Sequence, residues 1–96
     1  MATLRIYETG NLLYNLTSNI FDLRNVTIQN ITFSTAQQSA AFQSDTTIIR
    51  LLSDVNCHIL VGSNPTADLN DMYLRAGVEY DFYVTGGTKL SVVQAA

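Results

Sequence analysis

Charge is scarce in this chain: only 14% of its 96 residues are Asp, Glu, Lys or Arg, where an ordinary soluble domain carries about 25%. Tryptophan is absent, and proline, cysteine and histidine occur once each. One cysteine cannot staple a fold with a disulfide. No uncharged apolar run approaches the roughly 18 residues needed to span a bilayer, so no membrane partner is expected. The opening MATLRIYETG carries Arg5 and Glu8 and has no apolar core, so it does not read as a secretory signal. Five basic against eight acidic residues give a net charge of -3, which opposes binding to phosphate backbones. Arg5, Arg24, Arg50, Arg75 and Lys89 stand singly and form no basic stripe, so no nucleic-acid partner is expected either.

Neutral polarity takes the place of charge. Ser, Thr, Asn and Gln make up 31 residues, and 47% of the chain is apolar. Protein interfaces are depleted in Lys, Glu and Asp, so this balance suits a chain that rests against other proteins, whereas a lone monomer usually keeps more charge outside. Three Asn-x-Thr sequons, at Asn15, Asn25 and Asn30, read as chance matches in a Thr- and Asn-rich sequence without a secretion signal.

Apolar residues recur with period two in short segments separated by Gly, Asn, Asp and Ser, and helix-forming runs are missing. The chain therefore reads as all-β. Strands are expected at 3–7, 12–16, 26–34, 40–43, 46–52, 57–61, 72–75, 78–84 and 89–94. In Val26–Ser34 the apolar alternation slips between Ile28 and Ile31, which predicts a bulge or bend at Gln29-Asn30. Thr85-Gly86-Gly87-Thr88 supplies two glycines free to take positive φ, which predicts a hairpin joining 78–84 to 89–94. So many short strands with evenly spaced turns on 96 residues point to a small two-sheet β-sandwich, jelly-roll-like, with an open-ended barrel as the competing architecture.

Residues 1–25 differ from the sandwich domain at 26–96. Leu12, Tyr14, Ile20 and Phe21 are apolar, but Asn11, Asn15 and Asn19 interrupt any regular period. This stretch reads either as an N-terminal arm that packs on another protein or as edge strands of the same sandwich. On the arm reading, Arg5, Tyr7, Leu12, Tyr14, Ile20 and Phe21 are the candidate protein-interface residues.

Constellations for chemistry are weak. Cys57 and His58 are adjacent on an expected strand, where successive side chains point to opposite faces, so they form no nucleophile–base dyad. Cys57 reads as a buried structural thiol and His58 as a surface or interface polar residue. One His and one Cys are too few for zinc unless symmetry brings copies together. Glu79, Asp81 and Tyr83 share one strand face, which reads as a solvated face rather than an acid–base pair. Asp68-Leu69-Asn70-Asp71 lacks the Gly and terminal Glu of a calcium loop and reads as a turn or cap. Arg50, among apolar neighbours, is expected to make a fixed ion pair with Asp54 or Asp45, or an interface contact. No nucleotide, hydrolase or metalloprotease motif occurs. The chain is expected to be non-enzymatic, without catalytic residues, metal or cofactor.

From Ser39 to Val93 a set of short motifs stands out: Ser39-Ala40-Ala41-Phe42, Thr47 to Asp54 around Ile49-Arg50-Leu51, Asn56-Cys57-His58, Val61-Gly62-Ser63-Asn64-Pro65-Thr66-Ala67, Tyr73-Leu74, and Glu79-Tyr80 through Val84 and Gly87 to Lys89. This pattern resembles small structural proteins of tailed bacteriophages, of the capsid cement or decoration type. The resemblance implies a virion component made in the host cytoplasm. It implies a jelly roll on the outer surface of the capsid, bound to the major capsid protein and often a homo-oligomer, with a trimer favoured. The alternative in the same setting is a tail or fibre module that binds another tail protein, or host carbohydrate through Tyr83, Asp81 and Glu79.

Overall fold

The structure is a computed structural model and describes residues 2–10 and 26–96. Among the described residues there are eight strands and no helix: β1 (Ala2–Gly10), β2 (Thr27–Phe33), β3 (Gln37–Gln38), β4 (Thr46–Ser53), β5 (Cys57–Gly62), β6 (Met72–Leu74), β7 (Glu79–Tyr83) and β8 (Lys89–Gln94). They form two four-stranded antiparallel sheets, one ordered β2-β1-β4-β7 and the other β3-β8-β5-β6. The sheets pack face to face, which makes the all-β sandwich expected from the strand pattern.

The pairing is nested. β5 pairs with β6, β4 with β7 and β3 with β8, as in a long hairpin rolled onto itself, the defining arrangement of a jelly roll. β2 needs a partner to close the series, and β1 supplies it.

Period-two patterning fills the space between the sheets. Leu4 and Ile6 from β1, Ile31 and Phe33 from β2, and Ile49 and Leu51 from β4 face Cys57, Ile59, Leu74, Leu90 and Val92 from the other sheet. Tyr80 and Phe82 lie at the edge of this core, their rings stacked 6.4 Å apart.

Several expectations need correction. Ala2–Gly10 is neither an arm nor an edge: it lies inside its sheet between β2 and β4, and its inward Leu4, Ile6 and Glu8 are almost fully buried. The remainder of the proposed arm, residues 11–25, with the expected strand at 12–16, lies outside the described residues. No bulge occurs at Gln29-Asn30, because β2 keeps one unbroken register with β1 from Thr27 to Phe33. The inward set is Gln29, Ile31 and Phe33, while Ile28 points out and is 56% exposed. The alternation misled because Gln29 is the inward residue, held by hydrogen bonds rather than by apolar packing. The irregularity sits instead in β1, at Thr9/Gly10 against β4.

The expected hairpin also fails. β7 and β8 belong to different sheets, so Thr85–Thr88 carries the chain across the sandwich. Gly87 does take positive φ, at 85°, but its N–H donates to the Phe42 carbonyl, and Phe42 N–H donates to Thr88. The expected strand at 40–43 is irregular for a related reason. Its backbone donors at Ala40, Phe42 and Gln43 go to Gln29, Thr88 and Glu8 rather than to a regular ladder.

Candidate interaction surface

The two outer faces of the sandwich differ in what covers them. On the β3-β8-β5-β6 sheet the chain covers part of its own surface, leaving the outward Leu60 and Tyr73 39% and 45% exposed. After β5 the Gly62–Ala67 segment folds back over the sheet, where Gln38 Nε2 donates to Asn64 Oδ1 at 2.9 Å and to the Pro65 carbonyl at 2.8 Å. Ser91 Oγ accepts from Ala67 N–H at 2.9 Å. Pro65, Ala67 and Ser91 are buried as a result, although Ser91 lies on the outward side of β8.

The β2-β1-β4-β7 sheet presents a broad outer face. Its registers align three rows of side chains across the strands: Asn30, Arg5, Leu52 and Glu79; Ile28, Tyr7, Arg50 and Asp81; and Ile48 and Tyr83 beside a Thr9 that is itself buried. Tyr83 is 79% exposed, the most exposed large apolar side chain among the described residues. Opposite charges meet in the middle row. Arg50 Nε and Nη2 donate to Asp81 Oδ1 and Oδ2 at 2.8 and 3.0 Å, a bidentate fork that fixes both planes. The hydrogen bond to Asp81 raises the Arg50 pKa further, partial burial opposes the rise, and the charges of Asp81 and Glu79 add to it. Arg5, Arg50, Glu79 and Asp81 cancel to neutrality on this face. At one end a cleft of about 370 Å³ opens between Thr3, Arg5, Leu52, Ser53, Asp54 and Gly77.

A second cleft, of about 430 Å³, lies on the other side of the same β4–β5 turn, beside Val55, Asn56, His58, Leu69, Tyr73 and Gln94. His58 Nδ1 lies 3.0 Å from the Asp71 carbonyl. A carbonyl can only accept, so Nδ1 carries the proton and a neutral ring leaves Nε2 as an acceptor. The ring sits against Tyr73, with centroids 5.3 Å apart.

Of the interface residues expected from sequence, Arg5 and Tyr7 stand side by side on the outer face just described, separated by one residue of β1. Leu12, Tyr14, Ile20 and Phe21 lie outside the described residues. Arg50 pairs with Asp81 rather than with Asp54 or Asp45. Asp54 instead accepts from Thr3 N–H at 2.8 Å. Cys57 is fully buried, as expected of a structural thiol, and burial pushes its pKa up, a hydrogen bond from Ser53 opposes the rise, and the Asp54 charge adds to it. Asp68–Asp71 is a turn. Its own carboxylates accept from Asn70 and Asp68 N–H groups at 2.8 Å.

Sequence reasoning missed Glu8, which is 1% exposed in the interior. Its Oε1 accepts from Gln43 N–H at 2.9 Å and Thr46 Oγ1 at 3.0 Å, and its Oε2 from Gln29 Nε2 at 2.7 Å. The available signal was its place two residues beyond Ile6 in the inward series Leu4, Ile6, Glu8. Among the described residues no group of three His, Cys, Asp or Glu could hold a metal ion.

Comparison of the chain with protein-family models, curated proteins and solved structures gave no match. The functional reading therefore rests on the surface itself and on the sequence pattern.

Proposed function

We propose that this chain is a non-enzymatic structural component of a tailed-phage virion. On this reading it is a cement protein that bridges major capsid protein subunits on the outside of the head. The observation that supports it most directly is the outer face of the β2-β1-β4-β7 sheet. Four strands present Tyr7, Ile28, Ile48, Leu52 and Tyr83 around a fixed Arg50–Asp81 pair, with balanced charge and no Lys. Tyr and Arg are the residues that dominate binding at protein interfaces, and a pre-paired guanidinium avoids burying a lone charge. Attachment of this kind is passive. Each bound copy adds buried area between neighbouring shell subunits, so expansion pressure must break more contacts.

The carbohydrate-binding alternative loses support at Asp81, because both carboxylate oxygens are already engaged by Arg50. The test is a copy count on purified particles, combined with Tyr83→Ala and Arg50→Ala. The expected result is hundreds of copies per particle, with occupancy falling in both variants. A handful of copies per particle would place the protein in the tail, and full occupancy in both variants would remove the outer face from the binding site.

A further inference from the structure

Exposed strand edges are templates for pairing with another chain, and proteins blunt them with short strands, charges, prolines or bulges. Among the described residues the sandwich has four edges. β3 has two residues and β6 three, so both are blunted by length. β7 carries Glu79 and Asp81. β2 has none of these protections. It runs seven residues, Thr-Ile-Gln-Asn-Ile-Thr-Phe, without charge, proline or glycine, and keeps straight register against β1 throughout. Thr27, Ile28, Asn30 and Thr32 are exposed along it. Among the described residues no strand pairs with its outer side.

We propose that β2 pairs antiparallel with β2 of a second copy across a two-fold axis at Asn30, joining two β2-β1-β4-β7 sheets into one eight-stranded sheet. The sequence of the strand favours itself as partner. Centring on Asn30 sets Ile28 against Thr32 of the other copy twice, and β-branched cross-strand pairs of this kind stabilise sheets. The two Asn30 amides meet at the axis, where each can both donate and accept. Every pair in this register joins positions of equal parity, so the backbone groups pointing outward on one copy meet those pointing outward on the other.

Charge does not oppose the approach. The nearest exposed charge in the row is Arg5, one strand in from Asn30. Two copies would hold their Arg5 residues about three strand spacings apart, roughly 14 Å, beyond the screening length of about 8–10 Å at ordinary salt. Two-fold pairing gives an even number of copies, and so departs from the trimer that the phage resemblance implies. The inference does not depend on what the outer face binds.

Sedimentation across a concentration series tests it, on the wild type, Asn30→Lys, Asn30→Asp and a mixture of the two variants. Wild type should dimerise. Each variant alone places like charges face to face and should weaken association at least tenfold, while the mixture should restore it as a heterodimer. Hydrogen exchange of the wild type needs no variant: alternate amides of Thr27–Phe33 should gain protection as concentration rises. A wild type that stays monomeric at high concentration, a charged variant that associates normally, a mixture that fails to recover, or exchange in β2 independent of concentration would each overturn the proposal.

Discussion

Replacing Glu8 with Gln changes one atom type and should cost the fold more than most surface deletions. The carboxylate is buried and accepts three hydrogen bonds, from the 39–45 segment, from β4 and from β2. In the Gln variant one end of the side chain is still an oxygen and can serve Gln43 N–H and Thr46. The other end becomes an NH2 facing the Gln29 NH2. Rotating the Gln29 amide does not relieve the clash of donors, because its Oε1 accepts from Ala40 N–H at 3.0 Å and its Nε2 donates to the Ala40 carbonyl at 3.3 Å. The substitution therefore loses a charge-assisted bond and strands a buried donor, at a cost of about 2–4 kcal/mol. A 96-residue domain is stable by only about 5–14 kcal/mol, so the urea midpoint should fall visibly without a change in slope. Glu8→Ala should cost more, since three donors lose their acceptor at once. The donor clash predicts further that Glu8→Gln is milder in a Gln29→Ala background, with a coupling of about 1–2 kcal/mol in the double-mutant cycle. A Glu8→Gln variant within about 0.5 kcal/mol of wild type would refute this account of the interior.

A Cβ at Gly86 would overlap the Ser44 carbonyl and crowd that of Gln43, so Gly86→Ala should cost about 2–3 kcal/mol by overpacking. Gly87→Ala meets open space and should lose only the roughly 1 kcal/mol of its positive φ; thermal melts that rank the two alike would contradict the assignment. Because burial holds the Cys57 thiol above its ordinary value of 9.0, its contribution to stability is complete below that pH. It is lost as pH rises toward the folded value, since the unfolded chain releases the proton first. Wild type should therefore lose stability more steeply above about pH 9 than Cys57→Ser, and parallel curves for the two would exclude the effect. Arg50→Ala and Asp81→Asn remove a partly exposed surface pair and should change stability by at most about 1 kcal/mol, so any larger loss in a denaturant titration would mean that the pair supports the sheet itself.

Period-two patterning made the strands and the sandwich legible, because burial between two sheets imposes it residue by residue. β4 and β8 read directly from Ile49-Leu51 and Leu90-Val92. Long-range partners were not legible. The glycines at 86 and 87 announced a reversal but not that the chain would cross to the other sheet, since turn chemistry says nothing about what lies on either side. β2 was misread because an inward glutamine looks polar in sequence, and its role depends on a carboxylate 21 residues away. The outer face was legible only in pieces: Arg5 and Tyr7 were singled out, but Arg50 joins them through registers that no local pattern encodes.

The position of β1 decides how attachment can be tested. In the nested pairing, β5·β6, β4·β7 and β3·β8 leave β2 to be closed by a strand that an unpermuted roll would add after β8. Here the chain places that strand first. β1 contributes Leu4 and Ile6 to the core and Glu8 to its hydrogen-bonded interior, while Arg5 and Tyr7 belong to the outer face. One strand thus serves stability on one side and the candidate interface on the other. Removing residues 2–24 would expose the inner edges of β2 and β4 together with the core side chains that pack on Leu4 and Ile6, and loss of attachment would then report unfolding. Substitutions confined to outward positions, such as Tyr7→Ala beside Arg50, separate the two roles because successive residues of a strand point to opposite faces. If Tyr7→Ala kept the wild-type melt but released the protein from particles, the outer side of β1 would be acting in binding rather than in folding.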